Sequence, residues 1–497
     1  MKRVVRPALA LALALHLSAA SLPESIERLI ASSPVARSAF WGIQIVDLAS
    51  GKSLYEQNID HFFVPASNTK LFTTALALTR LGPDFTFQTR VMADQAPDSD
   101  GRIRGAVRLV GGGDPNLSAR AIPYRMGPVT GNPLAALDEL AGQLAARGVK
   151  RIEGDIVGDD RWYLWEPYAT GWAIDDPRSD DGPPISALTI NDNTFNLNVR
   201  PGAAVGELAV LTLNPPVEYY RLDNRIRTVA AGGERRIRIE RIPGSLDAQL
   251  WGAIPLRDRG TDMLLGIEDP ALYAAKALCE LLEQRGISVT GTAVAQHLYL
   301  HDVTDPAQAP ATPPDSSVEL ARHTSAPFLE DLRITAKVSQ NLHAELALRA
   351  VARARRNIGS FEGGREEMKG FLGEVGIEPT AYNLFDGSGL SRLNLVTPAA
   401  VVKLLRYMYD SPARANWISL LPVGGQDGTL SARFGEGPAA GRIHAKTGSL
   451  SHVSALSGYV ERPDGRWVGF SVLVNNYNGA TAEVRGVMDR ICSLIME

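Results

Sequence analysis

Of the nine lysines in the chain, only Lys70 has a serine three residues before it, in Ser67-Asn68-Thr69-Lys70. The apolar run from Leu71 to Leu81 that follows is helix-forming and stops at Gly82-Pro83, which predicts a helix with Ser67 at its N-terminus. Residues three apart lie on the same face of a helix. The sequence therefore predicts that a hydroxyl and an amine point from one face of a helix start.

This pair has the composition of an activated nucleophile. A helix N-terminus favours a developing oxyanion and disfavours an ammonium, so the pKa of Lys70 is expected to lie below its usual value. A neutral amine can then take the proton of the Ser67 hydroxyl. The four-residue pattern also fits an ordinary helix start, so it does not decide between the two interpretations alone.

A second motif, Ser339-Gln340-Asn341, lies between two helical patterns at residues 327–338 and 342–355. This places it on a short connection between helices. One interpretation is a simple N-cap for the second helix. The other is a pair of polar side chains that a loop presents to a site.

A third motif, Lys446-Thr447-Gly448-Ser449, closes a strand that begins at Arg442. Gly448 allows a substrate backbone to approach closely, and the hydroxyls of Thr447 and Ser449 can receive a carboxylate. An ordinary strand-to-turn transition is the alternative. The three motifs in this order, on a helix start, an inter-helix loop and an edge strand, together predict a serine acyl-transfer site.

Composition excludes several other classes of function. The 497 residues are 45% hydrophobic and 21% charged, which is typical of a folded protein of about three domains. The formal net charge of −4 provides no basic field, so nucleic acid is not an expected partner. Two cysteines and eight histidines without an H-E-x-x-H pattern give no metal site, and no cofactor is predicted.

The first 20 residues have the pattern of a secretory signal. Cations at Lys2, Arg3 and Arg6 precede an apolar run over 8–17, and Ala20 is the expected cleavage point. No later stretch approaches about 20 unbroken apolar residues, so no integral membrane segment is expected after signal removal. The predicted location is periplasmic or secreted.

The middle of the chain contains a partial repeat. Residues 137–154 resemble 274–291, each an amphipathic helix that ends at a glycine and leads into a short strand. Between these copies lies a further segment rich in short β-like runs, and a Pro-rich stretch at 305–314 resembles a linker. The pattern predicts an inserted α/β unit that itself carries an insert.

With these motifs the chain resembles the class C low-molecular-mass penicillin-binding proteins, which are D-alanyl-D-alanine carboxypeptidases and endopeptidases of peptidoglycan. The segments that carry the resemblance cover nearly the whole chain: 65–73, 111–115, 154–159, 184–188 and 386–392. It implies an α+β penicillin-binding (transpeptidase/β-lactamase-like) domain with an antiparallel sheet flanked by helices. The expected division is 1–20 signal peptide, 21–92 and 318–497 catalytic domain, 93–160 and 262–317 inserted α/β domain, and 161–261 inner β-rich domain.

The resemblance also implies an activity and its residues. An exported serine DD-peptidase would remove the terminal D-alanine from stem peptides, or cleave cross-bridges, and would bind β-lactams. Ser67 would be the nucleophile and Lys70 its base, and Ser339 would relay a proton with Lys446. Asn341, Thr447, Gly448 and Ser449 would bind substrate. Asp159 matches a family position where a carboxylate could pair with a peptide side-chain amine, although an exposed turn at 158–160 is an equal alternative.

Two alternatives keep the same fold. A β-lactamase or esterase would need a deacylating glutamate, and Glu378 imitates one, but Asn383 follows it by five residues rather than four. A catalytically silent protein that binds the cell wall or senses β-lactams would have a broken motif, whereas all three are intact. An α/β-hydrolase is disfavoured because the chain has no G-x-S-x-G.

Overall fold

The computed structural model describes residues 21–242, 244–311 and 315–496. The predicted signal peptide and the end of the Pro-rich stretch lie outside the described residues. The helices are α1 (Leu22–Ser32), α2 (Pro34–Ser38), α3 (Thr69–Leu81), α4 (Ala135–Ala146), α5 (Pro270–Gln284), α6 (Phe328–Lys337), α7 (Asn341–Arg356), α8 (Phe361–Val375), α9 (Pro398–Asp410), α10 (Arg414–Leu420) and α11 (Thr481–Leu494). None of these helices combines the length and apolar character needed to cross a bilayer.

The strands fall into five larger sheets and one short pair. In chain order they are β1 (Phe40–Asp47), β2 (Ser53–Gln57), β3 (Gln88–Ala93), β4 (Arg102–Arg104), β5 (Val107–Val110), β6 (Arg151–Glu153), β7 (Ile156–Leu164), β8 (Thr194–Arg200), β9 (Val210–Asn214), β10 (Arg221–Val229), β11 (Arg236–Arg241), β12 (Asp247–Pro255), β13 (Thr261–Gly266), β14 (Ser288–Val289), β15 (Ala293–Leu298), β16 (Val318–Thr324), β17 (Tyr382–Asn383), β18 (Leu395–Val396), β19 (Ile443–Leu450), β20 (Val453–Glu461) and β21 (Trp467–Asn475).

The first and last strands of the chain build one antiparallel sheet in the order β19-β20-β21-β1-β2. Alternate residues of β20 face opposite sides, so both faces of the sheet are covered. Leu456 and Val460 pack with α1 and α11, while Ala455 and Tyr459 pack with the layer that contains α3, α7, α8 and α9. The predicted α+β fold, with an antiparallel sheet flanked by helices, is confirmed.

The partial repeat forms two helix–strand units that lie side by side. Helix α4 leads to β6 and α5 leads to β14, and these two short strands pair in parallel with Arg151 opposite Ser288. The helices contact each other, and an ion pair of 2.6 Å joins Arg285 to Asp138 between them. The similarity of the two segments therefore reflects two units of one layer.

The predicted limits of the inserts can be compared with the strand pairing. Strands β3 and β16 both belong to the sheet β15-β7-β5-β3-β16, so the predicted limits at 92 and 318 lie within this sheet. The limits at 160 and 261 likewise cut β7 and β13. The reason is long-range pairing, since β3 and β16 close the insert on each other across more than 200 residues. The division into nested domains itself stays a prediction.

Candidate active site

Ser67 lies in a 3₁₀ turn, Ala66–Asn68, that leads directly into α3, as the sequence predicts. Ala66 has a φ of 47°, a left-handed conformation that is uncommon for a residue with a side chain. Gly389, with a φ of 84°, lies against this turn, and a Cβ built there would be 1.9 Å from the Ala66 carbonyl oxygen. Only glycine allows the loop after residue 385 to approach the turn so closely.

The Lys70 amine has three neighbours in fixed positions. Its Nζ lies 3.0 Å from Ser67 Oγ, 2.6 Å from Asn341 Oδ1 and 2.6 Å from the Ser388 carbonyl oxygen. A neutral amine has two N–H donors and one lone pair. Because the Asn341 and Ser388 oxygens can only accept, they take the two N–H groups, and the lone pair is left for the Ser67 hydroxyl.

Burial lowers the pKa of Lys70 from its usual value to about 7, against the opposing effect of the Asp386 and Glu345 carboxylates. The sequence predicts a lowered pKa from the helix start. The direction agrees but the cause differs, because the side chain is completely enclosed. The sequence pattern could not reveal that enclosure, which is produced by α7 and the loop at Ser388.

Ser339 and Lys446 form a second pair. Lys446 Nζ donates to Ser339 Oγ at 2.8 Å and to the Thr447 carbonyl oxygen at 2.9 Å. Lys446 is also fully buried, and burial together with the nearby charge of Lys70 holds its pKa well below the usual range. The two serines and the two lysines thus form two hydroxyl–amine pairs.

The N-cap interpretation of the second motif applies to its middle residue. Gln340 accepts from the Leu342 backbone N–H at 2.8 Å and is the N-cap of α7. Ser339 has a φ of 67°, which lies in the left-handed region. The capping role therefore leaves the side chains of Ser339 and Asn341 available to the two lysines.

The third motif forms the C-terminal half of β19. Pairing with β20 runs from Ile443 to Leu450, one residue beyond Ser449, so the prediction that the motif closes this strand is confirmed. Gly448 passes the nucleophile turn so closely that a Cβ there would lie 2.7 Å from the Pro65 carbonyl oxygen and 3.1 Å from Ser67 N. The glycine is required because the strand and the turn share this space.

The motifs open into one cavity of about 650 Å³. It is lined by Ser67, Ser339, Asn341, Thr447, Gly448 and Ser449 from the predicted set. Lys70 and Lys446 lie buried against the hydroxyls of this lining. The structure therefore brings together every predicted site residue except Asp159.

The cavity also contains charged residues that the motifs did not indicate: Asp176, Asp181, Arg392, Arg433 and Arg485. Arg485 donates to Ser449 Oγ at 2.7 Å, and Thr447 donates to Thr429 Oγ1 at 2.8 Å. Arg392 ends the segment 386–392 that contributes to the resemblance, whereas Asp176, Asp181, Arg433 and Arg485 match no short pattern. The cationic side chains on the strand side of the cavity complement a substrate carboxylate.

Two buried carboxylates hold the loop that presents the Ser388 carbonyl. Glu345 accepts from the Gly387 and Ser388 backbone N–H groups at 2.9 Å each, and burial raises its pKa to about 7. Asp386 accepts from the Gly389 N–H at 2.8 Å. Glu345 was missed, although its spacing of four residues from Arg349 on a buried helix face is a sequence signal for a paired charge.

Asp159 does not reach the cavity. It is 3% exposed within β7, and Arg161 donates to both of its carboxylate oxygens, at 2.9 and 2.6 Å. Arg108 lies 3.8 Å away on the adjacent strand. The alternative of an exposed turn is also wrong, because residues 156–164 form a strand. The insert instead contributes Asp176 and Asp181 to the cavity.

Two other residues that lie near the motifs in the sequence, Glu378 and His343, do not line the cavity. Glu378, which imitates a deacylating glutamate, is exposed and does not line the cavity. His343 is fully buried, with Nδ1 2.6 Å from Asp331 and Nε2 3.0 Å from Asp192. These contacts join α6, α7 and the insert behind the second motif.

Comparison with known proteins gives matches along nearly the whole chain. Residues 22–494 match the D-Ala-D-Ala carboxypeptidase 3 (S13) family. A D-alanyl-D-alanine carboxypeptidase from Actinomadura sp. (strain R39) is 35% identical over 469 residues, which cover 92% of this chain and 81% of that protein. The crystal structure of penicillin binding protein 4 from Haemophilus influenzae is similar in fold, with a TM-score of 0.79 and 24% identity over 95% of this chain and 99% of that one. The same protein complexed with a β-lactam matches with a TM-score of 0.73 and 23% identity, over 95% and 98% of the two chains.

Proposed function

The chain belongs to the D-Ala-D-Ala carboxypeptidase 3 (S13) family, and from this we propose that it cleaves the bond after a D-alanine in peptidoglycan stem peptides through an acyl-enzyme on Ser67. It is a serine-type peptidase, and the removal of terminal D-alanine and the cleavage of cross-bridges use the same chemistry. The observation that supports the assignment of Ser67 is the Lys70 amine 3.0 Å from its hydroxyl, with both N–H groups engaged elsewhere.

Acylation begins when Ser67 Oγ attacks the substrate carbonyl and its proton passes to Lys70 Nζ. The backbone N–H groups of Ser67 and Ser449 stabilise the oxyanion that forms on the carbonyl oxygen. As the C–N bond breaks, the departing amine takes a proton from Ser339, and Lys446 replaces that proton through the 2.8 Å hydrogen bond. An ester on Ser67 and a free amine are the products of this half-reaction.

The remaining residues of the motifs orient the substrate. Asn341 contacts the substrate amide, and the hydroxyls of Thr447 and Ser449 receive the carboxylate, with Arg485 2.7 Å from Ser449 Oγ. Water then hydrolyses the ester and restores Ser67. A β-lactam acylates the same hydroxyl, and its leaving group stays tethered in the site, so hydrolysis is slow.

This activity requires an enzyme in a compartment that contains peptidoglycan. We place the protein in the periplasm or outside the cell, on the signal pattern of residues 1–20 and on the substrate. The direct experiment is mass spectrometry after exposure to penicillin, with peptide mapping of the adduct. An adduct on the peptide that contains Ser67, and release of D-alanine from a pentapeptide, are expected. An adduct on another residue contradicts the proposal.

The rate of acylation is expected to depend on pH through Lys70. The base must be unprotonated, and its pKa is lowered to about 7. The rate constant for penicillin acylation should therefore rise about tenfold per pH unit below pH 7 and level off above it. Stopped-flow or quenched labelling from pH 5 to 10 measures this profile, with circular dichroism as the control for folding. A profile that is flat from about pH 6 to 10 contradicts a titrating amine base.

Asp181 is expected to influence substrate choice in the role that the sequence assigned to Asp159. Its side chain is exposed at the cavity, where a carboxylate can pair with a peptide side-chain amine. Asp181→Asn should lower kcat/KM by about 2- to 5-fold for a peptide with that amine, relative to the same peptide acetylated on it. The Asp181 charge also acts on the pKa of Lys70, but this effect is the same for both peptides and cancels in the ratio of their kcat/KM values.

Asp159→Asn is the matched control for this measurement. The same change in β7 weakens the pair with Arg161, so we expect a loss of about 1–3 kcal/mol in the free energy of unfolding. The ratio of kcat/KM between the two peptides should stay at the wild-type value. If Asp159→Asn alters the ratio and Asp181→Asn does not, the specificity carboxylate has been assigned to the wrong residue.

A further inference from the structure

The sheet β10-β12-β11 in the inner insert has one face turned to solvent. Residues alternate between exposed and covered positions along β10 and β11, as expected for a sheet that is packed on one side only. The solvent face carries Arg225 and Arg227 from β10, Trp251 from β12, and Arg236 and Arg238 from β11. We call these five residues the Arg–Trp face.

The register of the sheet places an aromatic ring between cations. Arg225 and Arg238 are both direct neighbours of Trp251, on opposite sides of β12. Two residues further along, Arg227 and Arg236 are both neighbours of Ala253 in the same manner. Directly opposed side chains on one face lie about 5 Å apart at Cβ, so the Trp251 side chain and the guanidinium groups can contact one ligand.

The two arginines beside Trp251 are available to a ligand. Arg238 is exposed and has no partner among the described residues. Arg225 pairs with Asp223 at 2.6 Å, but their side chains are 71% and 43% exposed, and such pairs contribute about 0–1 kcal/mol. A carboxylate from a ligand can therefore replace Asp223 at little cost.

The local charge has the opposite sign to the charge of the chain. Exposed positions of the three strands carry five arginines, including Arg221, against the three carboxylates Asp223, Glu240 and Asp247, and Glu234 just before β11 pairs with Arg236 at 2.6 Å, which leaves a net positive charge. The whole chain has a formal net charge of −4. A cationic surface on an anionic protein favours an anionic partner.

The sheet that carries the Arg–Trp face contacts a loop of the active site. Glu240, on the same face of β11, pairs with Arg178 at 3.1 Å, and Arg241 donates to the Pro177 carbonyl oxygen at 3.1 Å. Asp176 is the preceding residue and lines the active-site cavity. The sheet thus adjoins the loop that forms a wall of the cavity, and a long substrate held in the cavity can reach the sheet.

We propose that the Arg–Trp face binds the peptidoglycan polymer, with a sugar ring packed on Trp251 and stem-peptide carboxylates paired with Arg225 and Arg238. Guanidinium groups suit carboxylates because they bind both oxygens, and indole rings provide a flat apolar surface with a polar edge. The inference rests on the proposed function, which makes this polymer the substrate. A second contact on the same polymer raises the effective concentration of stem peptides at Ser67.

Co-sedimentation with purified sacculi tests this inference. All binding variants carry Ser67→Ala, so that the polymer is not digested. Trp251→Ala and the double variant Arg225→Ser/Arg238→Ser should each raise the Kd for sacculi at least 5-fold. Arg102→Ser/Arg104→Ser, which removes two exposed arginines from β4, is the matched control and should bind as the parent does. With Ser67 intact, kcat/KM for a soluble pentapeptide should be unchanged in all three.

Several results would overturn the inference. Unchanged binding of sacculi in both the Trp251 and the double arginine variants removes the site. An equal loss of activity on the soluble pentapeptide indicates a structural role instead. Loss of binding to phosphatidylglycerol vesicles, with sacculi unaffected, assigns the face to anionic lipid. The two proposals can fail separately. If the protein with intact Ser67 releases no D-alanine from any peptide, but the Trp251 and double arginine variants still bind sacculi more weakly than the parent, the proposed function is wrong and the polymer-binding site is supported.

Discussion

Ser67→Ala is expected to abolish both the release of D-alanine and covalent labelling by penicillin. The Ser67 hydroxyl oxygen lies 3.0 Å from Lys70 Nζ, and without this oxygen no ester forms. Loss of a nucleophile typically lowers kcat by a factor on the order of 10⁴ to 10⁶. Intact-mass measurement after exposure to penicillin and an assay for free D-alanine measure the two losses separately.

Ser451→Ala is the matched control, because Ser451 is an exposed serine at the same cavity. It should retain labelling, and both variants should unfold at the parent temperature, since removal of one hydroxyl leaves the 3₁₀ turn in place. Undiminished labelling of a folded Ser67→Ala protein would sink the assignment of the nucleophile.

The catalytic motifs could be predicted because each depends on local sequence. Ser67 before an apolar helix, Ser339 between two helical patterns and Lys446 in an apolar strand are all visible within about 15 residues. The outer strands of the sheet could be found in the same way, from alternation and turn residues. The order of the three motifs then supplied the link between distant segments.

The sequence failed where long-range contacts decide the outcome. The edges of the insert depend on the pairing of β3 with β16, which are separated by more than 200 residues. The burial of Asp159 depends on the pairing of β7 with β5, the strand that carries Arg108. A single segment carries no signal for any of these contacts, whereas each of them follows directly once the sheets are assembled.

The burial of Lys70 also results from long-range contacts, with Asn341 and Ser388, and it makes substitution of this lysine informative. Lys70→Met is expected to lower the rate constant for penicillin acylation by about 10³-fold, because the variant has no base to accept the Ser67 proton. Methionine keeps an unbranched chain in a fully enclosed site, so packing is largely preserved. The residual acylation of this variant should show no titration near pH 7, in contrast to the parent.

Lys70→Arg separates the base from the charge. Arginine keeps a cation near Asp386 and Glu345, but its guanidinium group stays protonated at neutral pH and cannot accept a proton. If Lys70 acts as a base, Lys70→Arg should acylate as slowly as Lys70→Met, measured on protein that is folded by circular dichroism. If the cation alone matters, Lys70→Arg should recover most of the parent rate, and that recovery would contradict the proton transfer from Ser67. The lone pair that Asn341 and Ser388 leave free on Nζ favours the first result.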